Sequence, residues 1–186
     1  MTSPSTLIKT WNLRAKKEMG QNFLADRSIA DKIVARSGIT AEDVVLEIGA
    51  GLGSLTLPLA RAARKVYAVE KDRALLPPLN HELLASGTEN VILINDNILA
   101  LDIAAIARTE QQPLVVMGNI PYNISSQILV QLMMTRHHLK KAGLMFQKEL
   151  ALRVMAAPGS KAYGLSLIHI SEPTRQLMSS RMPSSA

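Results

Sequence analysis

Leu114-Val-Val-Met117 is apolar at every position, without the polar alternation of a strand half-exposed to water. So short a run cannot cross a membrane, and it needs cover on both faces. Runs of similar length recur along the chain. Strands are therefore expected at Val44–Ile48, Lys65–Glu70, Val91–Asn95, Pro113–Gly118 and Gly143–Gln147. Helical patterns lie between them. Arg27–Arg36 follows Asp26 as a cap and carries Ile29, Ile33 and Val34 on one stripe. Ser54 is expected to cap Leu55–Ala63, and Ser125 or Ser126 to cap a helix reaching about Arg136. Pro77-Pro78 should kink or interrupt a less regular helix over Asp72–Ser86. Alternating strands and helices define an α/β fold around a mostly parallel sheet.

Bulk properties limit the options further. At 186 residues, 47% apolar and 19% charged, the chain suits one globular domain with a real core. No apolar run reaches the ~18 residues of a membrane helix, and Met1–Thr6 lacks a signal-peptide core, so no membrane partner is expected. With no cysteine there are no disulfides or thiolate metal sites, which suits the cytoplasm. A formal charge of +6 points to a polyanionic partner, though a basic balance alone does not specify one.

Two strand ends carry chemistry. Val44–Ile48 runs into Gly49-Ala-Gly-Leu-Gly53, whose glycines permit a sharp turn and close approach of a ligand to the backbone. Glu70, 19 residues after Gly51, stands where a carboxylate can take both hydroxyls of a ribose. Asp96, after the third strand, can accept from an adenine amine. A dinucleotide fingerprint would want glycine at Ser54, which weakens the NAD alternative. Glu47 suits a cationic sulfonium and an amino group better than a pyrophosphate. A turn whose glycines serve packing alone stays open.

Asn119-Ile-Pro-Tyr122 follows the most apolar strand. The Asn119 side-chain oxygen and the Ile120 carbonyl can accept both hydrogens of an exocyclic amine, freeing the nitrogen lone pair for attack. Pro121 holds Ile120 extended, and Tyr122 can stack on a flipped base. The bland alternative is an ordinary proline turn. Upstream, Lys9, Arg14, Lys16 and Lys17 can meet phosphates or remain a solvated arm, and Trp11 can stack or pack. No metal site is expected: His137 and His138, adjacent on a helix, would face apart.

Gly20-Gln-Asn-Phe-Leu24, Val45–Thr56, Gly118–Ser125, Phe146-Gln-Lys-Glu149 and Ser160–Gly164 together resemble the ribosomal RNA adenine N6-dimethyltransferase family, in its small-subunit branch. The resemblance implies a class I, Rossmann-like methyltransferase that uses S-adenosyl-L-methionine to dimethylate two adjacent adenosines near the 3′ end of small-subunit rRNA. The implied partner is that RNA or the pre-small ribosomal subunit, met by a monomer. The resemblance assigns cofactor contacts to Asn22, Leu24, Gly49, Gly51, Glu70, Asp96 and Asn119, and the acceptor motif to Asn119 and Tyr122. It divides the chain into a basic arm and lid (1–24), a core (25–164) and a tail (165–186). Leu165–Arg175 and Ser180–Ala186 resemble translated sequencing adapters, so the tail is set aside as non-native. The natural chain is then expected to continue past Gly164 with the last strands and a helical C-terminal domain. Four rivals remain: a large-subunit adenine methyltransferase, a DNA adenine methyltransferase, a non-catalytic ribosome-assembly factor and an NAD-dependent dehydrogenase.

Overall fold

The computed structural model describes residues 2–13, 27–146, 151–152 and 156. Its frame is a five-stranded sheet of β1 (Val44–Ile48), β2 (Lys65–Val69), β3 (Val91–Ile94), β4 (Leu114–Asn119) and β5 (Leu139–Met145). All pairings are parallel, in the spatial order β3-β2-β1-β4-β5. The helices are α1 (Pro4–Thr10), α2 (Arg27–Ser37), α3 (Thr56–Ala62), α4 (Leu76–Ala85), α5 (Ile103–Glu110) and α6 (Ser125–Met134).

Side chains alternate across each strand, so the central strands feed two cores. Val44, Leu46, Ile48, Leu114 and Val116 pack against Ile103 and Ala107 of α5 and Ile128, Leu129 and Leu132 of α6. Val45, Val66, Ala68, Val115 and Met117 pack on the other face against Ala30, Val34, Leu57, Leu59, Leu79 and Leu83 of α2, α3 and α4. β1 is buried at all five positions, as the continuous apolar runs demand.

Several helix starts differ from expectation. Neither Ser54 nor Ser125 caps its helix: α3 and α6 begin after Leu55 and Ile124 without a side-chain cap. The Ser125 hydroxyl instead donates back to the Pro121 carbonyl at 2.8 Å. Pro77 and Pro78 do not break α4. They occupy its first turn, where a missing N–H leaves no bond unmade, and a short 3₁₀ turn over Arg73–Leu75 precedes it. On α2 the buried stripe is Ala30 and Val34 with Ile33, while Ile29 is exposed; the Asp26 cap lies outside the described residues.

β5 begins four residues earlier than Gly143, the start expected from sequence. Two lysines at its head hide the pattern. Lys140 Nζ donates to Asp43 Oδ1 at 2.6 Å, and Lys141 Nζ donates to the Ser37 and Gly38 carbonyls at 2.7 and 2.6 Å. Both charges thus reach past the sheet to the segment before β1. His137 and His138 sit in a 3₁₀ turn over Arg136–His138 rather than on an α-helix. α5, capped by Asp102 through Ala105 N–H at 2.9 Å, and α1 were not anticipated.

One close approach fixes the middle of the sheet. A Cβ on Gly118 would stand 2.8 Å from the Ile48 carbonyl oxygen of β1, whereas one on Gly143 would meet the Met117 sulfur at 2.7 Å. Backbone cannot yield as a thioether can. Gly118→Ala should cost about 1–3 kcal/mol in urea unfolding and Gly143→Ala markedly less. Equal losses would contradict this reading.

Candidate active site

The sheet changes its direction of growth between β1 and β4. The chain leaves these neighbours toward opposite faces, into α3 and α6, and so opens a crevice at the carboxyl rim. The β1 loop lines one side. Gly49, Gly51 and Gly53 have φ of 77°, 56° and 83°, left-handed values that strain any residue with a Cβ. Gly49 and Ala50 both donate to the Val69 carbonyl, at 2.9 and 3.1 Å.

Glu70 holds this turn. Its Oε2 accepts from Gly51 N–H at 2.9 Å and its Oε1 from Asp72 N–H at 2.8 Å. The two carboxylate oxygens carry four lone pairs between them, so acceptor capacity remains for a ligand hydroxyl. Burial pushes the Glu70 carboxyl up, and the backbone N–H groups of Asp72, Gly51 and Lys71 oppose that shift. The loop after β3 is tied to the same turn: Asn95 Nδ2 donates to the Glu70 carbonyl at 2.9 Å and to that of Lys71 at 3.3 Å. Asp96, next in sequence, is exposed, and its Oδ1 accepts from Asn97 N–H at 2.7 Å. Asp72 meets the Glu70 carboxylate through its own backbone N–H and Asn95 meets the Glu70 backbone carbonyl, contacts that residue type alone does not signal; their only signal is proximity to the expected acids.

Glu47 is the least comfortable group among those described. It is 1% exposed, and neither of its oxygens, nor the Thr56 hydroxyl, has a partner in hydrogen-bond geometry. Burial pushes its carboxyl up to about 8; the nearby Thr56 hydroxyl favours the charged form and the Glu70 charge opposes it. Strand alternation puts Glu47, Glu70 and Asn119 on the face that carries Val45, Ala68 and Met117.

Asn119 closes the other side. A Cβ on Gly49 would lie 3.6 Å from the Asn119 carbonyl oxygen, so the glycine turn and the Asn-Ile-Pro-Tyr segment meet. Ile120 N–H donates to the Met145 carbonyl at 3.0 Å, extending β4 along β5. The Pro121 carbonyl accepts from Ile124 N–H at 3.3 Å and from the Ser125 hydroxyl at 2.8 Å, which folds the segment back into α6. Tyr122 opens a 3₁₀ turn over Tyr122–Ile124, but its side chain is outside those described, as are Asn22 and Leu24. Gly49, Gly51, Glu70 and Asn119 are thus brought together at one rim, with Asp96 on the neighbouring loop.

An open parallel sheet with a glycine turn and an acid at the next strand end defines a Rossmann-like, nucleoside-binding α/β fold. Residues 12–172 match the family model described as ribosomal RNA adenine dimethylase, and the chain belongs to that family. The match runs eight residues into the segment set aside as a tail. A ribosomal RNA small subunit methyltransferase A from Desulforapulum autotrophicum is 51% identical over 164 residues, 88% of this chain and 57% of its own length. One from Magnetococcus marinus is 48% identical over 158 residues, 85% of this chain and 56% of its own. The chain therefore spans little more than half the length of these relatives. A crystallised dimethyladenosine transferase from Plasmodium falciparum superposes with a TM-score of 0.66 at 33% identity, covering 77% of this chain and 50% of that one. The 23S rRNA methyltransferase ErmE gives 0.62 at 31%, covering 72% and 51%. The fold is that of the S-adenosylmethionine-dependent methyltransferases.

Glu47 makes the site's pH response testable. A carboxyl raised to about 8 keeps its proton in the folded state while the unfolded chain loses it near the ordinary value of 4.5. The folded state then binds more protons, so stability declines as pH rises from about 4.5 to about 8. Glu70 is shifted in the same direction. Glu47→Gln should flatten the fall in Tm between pH 5 and 8 and leave the variant more stable at pH 8. A wild-type Tm that is level across that window would contradict the burial argument.

Proposed function

We propose that the chain is the catalytic core of an S-adenosyl-L-methionine-dependent methyltransferase that places two methyl groups on N6 of adenosines in small-subunit ribosomal RNA. The observation that carries this reading is the meeting of the Gly49 turn with Asn119 at the β1/β4 crevice. The donor set fits such a cofactor. Glu70 keeps acceptor capacity for the ribose hydroxyls, and buried Glu47, protonated in the free protein, would ionise beside the cofactor's cationic groups. Asp96 serves the adenine amine, while Gly49 and Gly51 leave room along the backbone. Asn22 and Leu24 would complete the contacts from the arm.

When bound, the cofactor supplies an electrophilic methyl on a sulfonium. The remaining work belongs to the chain. The Asn119 side-chain oxygen and the Ile120 carbonyl accept the two amine hydrogens and turn the nitrogen lone pair out of ring conjugation. Tyr122 stacks on the flipped adenine, worth ~1–3 kcal/mol in comparable sites. The loop bonded through the Pro121 carbonyl fixes these groups relative to the donor, so orientation supplies most of the acceleration. No strong base is needed, because the methylated nitrogen is acidic. After one transfer a single hydrogen remains, so the second round must proceed with one of the two acceptors unfilled.

Small-subunit RNA is preferred over large-subunit RNA because the relatives with 51% and 48% identity are small-subunit enzymes. The reading places the protein in the cytoplasm with a ribosomal precursor, to which the +6 charge is suited. Incubation with methyl-labelled cofactor and undermethylated ribosomes tests it. Label should appear as N6,N6-dimethyladenosine in small-subunit RNA, and Asn119→Ala should lower the rate at least ~100-fold, as lost transition-state contacts do elsewhere, with ribosome binding kept. Label in large-subunit RNA would move the assignment to that branch. Full rescue of cells by Asn119→Ala would favour a non-catalytic assembly role.

A further inference from the structure

The N-terminal segment does more than carry basic charge. Ser3 caps α1 through Thr6 N–H at 3.1 Å, with Pro4 in the first turn. The helix turns Leu7 inward, where it is 2% exposed in a small cluster separate from the two main cores. Its buried partners there are Leu52, which stands between Gly51 and Gly53, and Leu75, in the turn that follows Glu70. Ile8 and Leu13 pack around them. Thr2 N–H donates to Glu82 Oε2 of α4 at 2.6 Å, and the Trp11 and His81 rings meet edge to face with centroids 6.0 Å apart. α1 is therefore fastened at both ends to α4, and at its middle to the two segments that the Gly51–Glu70 hydrogen bond joins.

We propose that Leu7 is a positioning residue: through Leu52 and Leu75 it braces the back of the glycine turn against the Glu70 turn and so sets the register of the cofactor site. Among the described residues, the buried partners of Leu52 in this cluster are Leu7 and Leu75. Leu52 is 1% exposed, and a glycine on each side of it gives the backbone freedom that packing must remove. Shortening Leu7 loosens Leu52 and Leu75 together, and with them the Gly51 N–H that Glu70 receives. The effect on cofactor affinity rests on the methyltransferase reading; the effect on the turn does not.

The test uses the full chain with two readouts. Hydrogen exchange of the Gly51 amide, followed by NMR without ligand, should be protected in the wild type and speed up about tenfold or more in Leu7→Ala. Calorimetric titration with S-adenosylhomocysteine should give a Kd raised about tenfold, with Leu7→Met close to wild type. Leu132→Ala, a cut in the core under α6, controls for general destabilisation and should leave both readouts nearly unchanged. Unaltered Gly51 exchange in Leu7→Ala, or an equal change in Leu132→Ala, overturns the brace. If wild-type protein gives no heat with S-adenosylhomocysteine, the cofactor reading fails while the exchange comparison still decides the brace.

Discussion

The hydrogen bond from Gly51 N–H to the Glu70 carboxylate ties together the parts of the molecule that bear chemistry. It joins the turn after β1 to the end of β2, and through Asp72 and Asn95 it recruits the loops beyond β2 and β3. A carboxylate is costly to bury, and here backbone donors and retained lone pairs offset part of that cost. The same group that shapes the turn is the one expected to meet a ribose. The site's scaffold and its ligand contact are in that sense one residue.

What makes the bond possible is a sheet covered on both faces. Parallel β1 and β4 lie close enough that Gly118 must lack a side chain, and this proximity brings Asn119 to the Gly49 turn. α3 and α6 then carry the chain to opposite faces and leave the crevice between them. Glu47, buried beneath that rim without a hydrogen-bond partner among the described residues, is a local cost that packing does not explain, and such groups gather where a ligand is to be held.

Much of this was legible in the sequence, for physical reasons that also explain the misses. Strands β1 to β4 announce themselves because runs apolar on both faces have no other stable home, and their ends match expectation to within a residue. β5 was masked by Lys140 and Lys141, whose long stems let charge escape a strand to reach Asp43 and the end of α2. The serines at 54 and 125 looked like caps because composition cannot tell which backbone group a hydroxyl will choose. Gly49, Gly51 and Glu70 were readable from spacing along one strand–turn–strand unit. Asp72, Asn95 and the Leu7–Leu52–Leu75 cluster were not, since those contacts depend on how distant segments fold over the rim. Ser3-Pro4 is a helix-start signal for α1, a serine cap followed by proline in the first turn.

The most direct measurement is a double cycle of binding constants for S-adenosylhomocysteine and its 2′-deoxy analogue against the wild type and Glu70→Ala. If Glu70 joins the glycine turn to a ribose, the wild type should lose about 1.5–3 kcal/mol of affinity with the deoxy analogue, as charged hydrogen bonds typically carry. Glu70→Ala should bind both ligands weakly and without discrimination. Equal affinity of the wild type for the two ligands, or tight binding of S-adenosylhomocysteine by Glu70→Ala, would contradict the account.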